Sequence, residues 1–155
     1  MKQHTYTVRV EWTDPAGEGT KTYKSYQRDH SITSIGKPEI PASSDPSFRG
    51  NSARYNPEEL LVASLSSCHM LWYLHLACNA GIVVKGYEDT PLGVGETGSR
   101  GEGRFVRAVL RPRIIITRGA DLITADRLHH EVHQFCFIAR SVNFPVSYEA
   151  SYVED

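Results

Sequence analysis

Asn56-Pro57-Glu58-Glu59-Leu60-Leu61-Val62-Ala63-Ser64-Leu65-Ser66-Ser67-Cys68-His69-Met70-Leu71-Trp72-Tyr73-Leu74-His75-Leu76-Ala77-Cys78-Asn79-Ala80-Gly81 is the stretch on which the reading of this chain turns. It opens as a helix start. Asn56 can cap free backbone N–H groups, Pro57 suits the first helical position, and two glutamates complement the positive end of the helix dipole. Gly81 suits the stop, so the spacing predicts a helix over 56–80. From Leu60 to Ala77 this helix is apolar almost all round, which predicts burial on most sides rather than on one stripe. One small domain struggles to wrap a helix that completely, and a dimer with this helix near its centre solves the problem. His69, His75 and three serines interrupt the apolar run, so a membrane span is not expected.

Upstream, Tyr6, Val8, Val10 and Trp12 alternate with Thr7, Arg9 and Glu11 as a half-buried strand does. Asp14-Pro15-Ala16-Gly17-Glu18-Gly19 reads as a turn, after which Thr20 to Tyr26 is expected to return as the second strand of a hairpin. Ile35 to Tyr55 holds Pro38, Pro41, Pro46, Gly36 and Gly50, and reads as a long ordered loop of the kind that is often functional. Downstream, Ile82 to Tyr87 is a short strand, followed by a glycine-rich link through Gly103. Val106, Ala108, Leu110, Ile114 and Ile116 predict one long strand, with Pro112 marking an edge or a bulge. Leu128, Val132, Phe135 and Cys136 form the stripe of a second, amphipathic helix, and Val146 to Tyr152 the last strand. The order is that of an α+β domain. No repeat or low-complexity tract appears, so residues 1–155 read as a single domain.

Among the 155 residues, 17 Lys and Arg face 18 Asp and Glu, a net charge of −1 with no like-charge run. A domain built to track a phosphate backbone is not balanced this way, so nucleic acid is not expected as a partner. Hydrophobic residues are 40% and charged residues 23%, as in a globular protein. The N-terminus opens straight into alternating residues without the apolar core of a signal peptide. Three cysteines without tight spacing argue against a disulfide-stapled secreted domain. A cytoplasmic protein is expected.

Three motifs bear on chemistry. Gly93-Val94-Gly95-Glu96-Thr97-Gly98 matches the dinucleotide fingerprint, but no helix follows to meet a phosphate, so the match carries no mechanism. His129, His130 and His133 cluster on the second helix, yet the spacing is one residue short of the zinc-hydrolase pattern, and a mixed polar helix face is the expectation. The cysteines carry more. Cys68 and Cys78 lie about 15 Å apart on one helix, which excludes a disulfide between them. Cys68 and Cys136, on two adjacent helices, can pair so that one attacks and the other resolves, given a cation such as Arg to hold the thiolate. Acyl transfer by Cys68 and His69 is a weaker reading, because adjacent helical side chains diverge.

Taken together, the Asn56-Pro57-Glu58-Glu59-Leu60-Leu61 helix start, Cys68 after a Ser-rich turn and His133-x-x-Cys136 resemble the OsmC/Ohr family. The OsmC-like branch is nearest, on Ser44-Asp45-Pro46-Ser47-Phe48-Arg49-Gly50 and on Cys68 to Leu74. The resemblance implies an intertwined homodimer, with antiparallel sheets flanking long central helices and active sites at the interface. It implies a thiol peroxidase that reduces organic hydroperoxides, with Cys68 as the peroxidatic and Cys136 as the resolving cysteine. Glu58 then matches the active-site glutamate. The activating arginine falls on Arg49 or Arg28, with Arg49 ranked first because Asp29 stands beside Arg28 to neutralise it. No metal or organic cofactor is implied, only an external dithiol reductant of lipoyl type. His69 and the long 35–55 loop depart from the better-known members. The alternative is a non-catalytic dimeric module of the same fold that binds a hydrophobic ligand.

Overall fold

The order of elements follows from where the backbone finds its hydrogen bonds. A computed structural model describes residues 1–155, in two compact units, residues 1–60 and 61–155. In the first, β1 (Arg9–Trp12), β2 (His30–Thr33) and β3 (Ile40–Ala42) form an antiparallel sheet in that order. Trp12 pairs with His30, and His30 with Ala42, so the three side chains line up in one row across the sheet. The partner of β1 is thus β2, and the strand expected at Thr20–Tyr26 does not form. Side chains there supply local bonds that compete with a ladder: Asp14 accepts from the Gly19 N–H at 2.5 Å, and the Ser25 hydroxyl donates to the Gly19 carbonyl at 2.9 Å.

Within the 35–55 stretch sit β3 and a short 3-10 turn, Pro46–Phe48, capped by the Asp45 carboxylate. The stretch is ordered as expected: Ser43 N–H donates to the Tyr55 carbonyl at 2.9 Å and Gly50 N–H to the Asp45 carbonyl at 3.0 Å. A Cβ on Gly50 would come within 1.6 Å of the Ser44 carbonyl oxygen, so only glycine closes this loop.

Helix α1 runs Pro57–Asn79. Asn56 Oδ1 accepts from the Glu59 N–H at 2.8 Å, while the Glu59 carboxylate accepts from the Asn56 N–H at 3.1 Å, a reciprocal cap. Gly81, at φ 74°, ends the helix. In the second unit one row of α1 is buried, Leu65, His69, Tyr73 and Ala77, spaced by four. The opposite row, Ser67, Leu71 and His75, is exposed, Leu71 by 62%. Burial on most sides is therefore not achieved within one chain. By length and composition α1 would also suit a membrane span, but its buried row faces a core of this unit, with Ile114, Ile116, Leu128 and Val132.

Two mixed three-stranded sheets complete the unit. One is ordered β4 (Val84–Asp89), β7 (Pro112–Ile116), β9 (Ser151–Glu154); the other β5 (Leu92–Thr97), β6 (Gly103–Leu110), β8 (Val146–Tyr148). The single strands expected at Val106–Ile116 and Val146–Tyr152 each split and change sheet, so the pairs β6–β8 and β7–β9 run parallel. At the first split the Arg111 N–H leaves the ladder and donates to Asp89 Oδ1 at 2.7 Å, and Pro112 has no N–H to offer. The supposed glycine link is β5. A Cβ on Gly93 would meet Val62 Cγ2 at 2.5 Å and Phe105 Cε1 at 2.7 Å, so the glycine lets a strand lie close on α1.

The second helix, α2, spans Leu122–Val132 and starts at Asp121, whose carboxylate caps the Thr124 N–H at 3.1 Å. It stops before Phe135 and Cys136, which the sequence had placed on its stripe. Successive turns carry the chain on, with Cys136 N–H donating to the Val132 carbonyl at 2.8 Å. Phe135 turns outward, 42% exposed, and stacks on Trp72, while Cys136 stays buried.

Candidate active site

The thiols define the site in the second unit. All three cysteines are free: Cys78 exposed, Cys68 half-buried, Cys136 buried. Cys68, midway along α1, packs against the core cluster that contains Cys136, and the two thiols interact directly. Burial pushes the Cys136 thiol up to about 11, and the neighbouring Cys68 sulfur raises it further in the same sense. The Ala139 N–H, 3.4 Å from Cys136 Sγ, works against that rise. Cys136 is therefore a protonated thiol at neutral pH. A buried thiol touching a more accessible one is the geometry of an attacker and a resolver.

Beside Cys68 on the helix, His69 turns inward. Its Nε2 lies 2.7 Å from His129 Nδ1 on α2, and the rings stack 5.0 Å apart. Tyr73 and Tyr148 cover His129 at 4.1 and 4.7 Å, and His133 meets His69 edge-on at 6.3 Å. Tyr152, on β9, bonds Asp126 through its hydroxyl at 3.3 Å, and neither imidazole bonds a carboxylate. Burial holds the pKa of His69 down near 4 and that of His129 near 3, with neighbouring histidines adding to each depression. The expected mixed polar face of α2 is thereby corrected: His130 is exposed, but His129 belongs to the buried row of Ala125, Leu128 and Val132. This pair escaped the sequence reading. The signal was present, because His69 and His129 each fall on an apolar helical stripe.

In the first unit, Arg28 is held tightly. Its guanidinium donates to the Tyr26 carbonyl and, at 2.6 Å, to the Tyr23 carbonyl, and it lies 3.9 Å over the Tyr26 ring and 4.6 Å over that of Tyr23. Asp29 does not neutralise it. That carboxylate takes Arg54 at 3.1 Å and the Asn51 amide at 3.1 Å. Arg28 borders a cleft of about 290 Å³ with Trp12, Tyr26, His30 and Pro57. Arg49 is exposed and has a left-handed backbone, φ 65°, as the cap of the 3-10 turn. Glu58 is exposed in the first turn of α1 and forms no ion pair. No group of three or more metal-ligating side chains gathers anywhere in the chain.

Fold and thiols together describe an α+β protein with two cysteines in contact, one on a long central helix and one after a second helix. The model of the OsmC-like protein family matches residues 50–151, and the chain belongs to that family. An OsmC-like protein of unknown function from Vibrio cholerae is 32% identical in sequence, over 96% of this chain and 100% of that one, with a TM-score of 0.86. An organic hydroperoxide resistance protein from Elizabethkingia anophelis, with thiocyanate bound, is similar in fold at 18% identity, over 99% and 100% of the two chains, with a TM-score of 0.67. One from Legionella pneumophila, also 18% identical, covers 97% and 98% with a TM-score of 0.62. No match was found among curated proteins.

Proposed function

We propose that this protein is a cysteine-dependent thiol peroxidase that reduces organic hydroperoxides to alcohols through a Cys68–Cys136 disulfide cycle. The observation that carries the reading is the contact between the half-buried Cys68 and the buried, protonated Cys136. Cys68, as thiolate, attacks the distal peroxide oxygen; the O–O bond breaks, the alcohol leaves, and Cys68 becomes a sulfenic acid. Cys136 then displaces water from that sulfur and forms the disulfide. An external dithiol, of lipoyl type by family resemblance, takes up the oxidising equivalents and restores both thiols.

Between the two candidate arginines, local structure favours Arg28 as the group that holds the Cys68 thiolate. Its planar fork is fixed by two carbonyls and two rings, and no carboxylate cancels its charge. Two of its five N–H groups are committed to those carbonyls, which leaves three for a ligand. Glu58, the residue after the cleft-lining Pro57, is proposed to orient the guanidinium. The working form is proposed as a homodimer in the cytoplasm, with α1 of two chains packed together. The exposed Leu71 supports this, since it is a large apolar side chain of α1 that its own chain leaves uncovered.

Free thiols titrated before and after one equivalent of cumene hydroperoxide test the reading. Loss of two thiols per chain, abolished in Cys68→Ser, is expected. Binding of a hydrophobic ligand with no loss of thiols would instead support the non-catalytic module.

A further inference from the structure

His69 and His129 have no part in the peroxide chemistry above, yet they are almost wholly buried, at 2% and 0% exposure, and joined by a 2.7 Å hydrogen bond. One N–H fills that bond, so whichever ring donates, the other accepts. The second nitrogen of His129, Nε2, is buried without a partner. Two apolar rings would fill the same space and strand no polar atom, so packing alone does not account for the pair. Its place in the fold does.

His69 directly follows Cys68 on α1. His129 lies on α2, and from there to Cys136 the backbone is tied without a gap: helical to Val132, then through Gln134, Phe135 and Cys136, each of which donates back to Glu131 or Val132. Cys136 in turn is fixed from the far side by the Ala139 N–H on its sulfur and by the Arg140 N–H on its carbonyl. The ring-to-ring bond and the thiol contact therefore close a loop. Each joins α1 to the segment that carries the second cysteine.

We propose that the His69–His129 bond is a positioning element of the thiol cycle, holding Cys136 in line with Cys68 for disulfide closure. The inference rests on the two-cysteine reading above. In the closing step the Cys136 sulfur attacks the sulfur of the Cys68 sulfenic acid. An S–S bond forms, the S–O bond breaks, and the oxygen leaves as water with the thiol proton. The two sulfurs must close to about 2.05 Å with a defined torsion, so a displacement of an ångström matters. The earlier step, attack of Cys68 on peroxide, does not need Cys136 in place.

The experiment separates the two steps in His129→Phe, which keeps a stacked ring and removes the bond. Sulfenic acid at Cys68, trapped with dimedone and read by mass spectrometry, is expected to form within about twofold of the wild-type rate, while disulfide closure slows by at least about tenfold. His69→Gln, which can restore a donor or acceptor near the Nε2 position, is expected to close within about threefold of wild type, and His69→Leu is not. Diamide provides a second arm: it takes two electrons and two protons from the dithiol and closes the same disulfide without peroxide. Slow diamide closure in His129→Phe, in a chain that forms no sulfenic acid with peroxide, would sink the peroxidase reading and leave the positioning role standing. Wild-type closure by diamide in folded His129→Phe, checked by near-ultraviolet circular dichroism, would overturn the positioning role. Where His129→Phe does not fold, equal closure in His69→Gln and His69→Leu overturns it instead.

Discussion

Each cysteine has a separable expected phenotype. Cys68→Ser is expected to abolish hydroperoxide consumption. Cys136→Ser is expected to turn over once and stall as a sulfenic acid, visible as a gain of one oxygen in the intact mass. Cys78, exposed and apart from the pair, is expected to be replaceable by Ser with near-normal activity. For the arginines, the pH dependence of Cys68 alkylation decides. Removal of the activating guanidinium is expected to shift it upward by a unit or more, and each unit corresponds to about 1.4 kcal/mol. On the proposal above, Arg28→Ala gives that shift and Arg49→Ala does not; the reverse result returns the role to Arg49. The place of Cys68 midway along a long helix was legible in the sequence, because the start and stop of that helix carry clear signals. The partner of Asp29 was not. Arg54 and Asn51 reach it across a loop whose turns no periodicity describes.

Among the elements, the buried histidine pair gives α1 and α2 a dependence on pH whose sign can be worked out. Both imidazoles titrate below their ordinary value of 6.5 in the folded chain, near 4 and 3. The unfolded chain therefore takes up protons first. Stability is expected to be full above about pH 6.5 and to fall as the pH drops toward 4, by about 1.4 kcal/mol per unit for each group. The groups facing the pair are His130, His133, Tyr73, Tyr148 and Tyr152, none of which offers a negative charge to an imidazolium at these pH values. Urea melts from neutral pH down to pH 4 measure the slope, which His129→Phe is expected to flatten. Gly93→Ala is expected to cost about 1–3 kcal/mol by overpacking Val62 and Phe105, read in the same melts. Helix α1 was legible almost to the residue because its start carries a capping asparagine, a proline and acids, and its end a glycine. The split strands were not, since alternation continues through Arg111 and Pro112 while the hydrogen-bond partners change.

At the level of the whole molecule, one chain leaves the Ser67, Leu71 and His75 row of α1 open to water. On the dimer proposal, sedimentation at micromolar concentration is expected to give twice the 17.4 kDa chain mass. Leu71→Asp, at a side chain 62% exposed in its own chain, is expected to shift the protein toward monomer without unfolding the second unit. A soluble wild-type monomer at that concentration would remove the support for a shared interface. The α+β class and the family were legible because element order and the Asn-Pro-Glu start survive in a linear string. Sheet membership was not, because it depends on which distant strands pair.

The parallel pairs β6–β8 and β7–β9 place the same demand on synthesis as on structure. Both sheets of the second unit are completed by residues 146–154, which are synthesised after every strand they pair with. Until those residues clear the exit tunnel, β6 and β7 each present an unpaired edge, and the segment bearing Cys136 lacks the strands that flank it. A chain in which those residues have not yet paired is open to strand-pairing errors at both edges. Its protection rests on how fast residues 146–154 reach β6 and β7, rather than on any earlier closure of these two sheets.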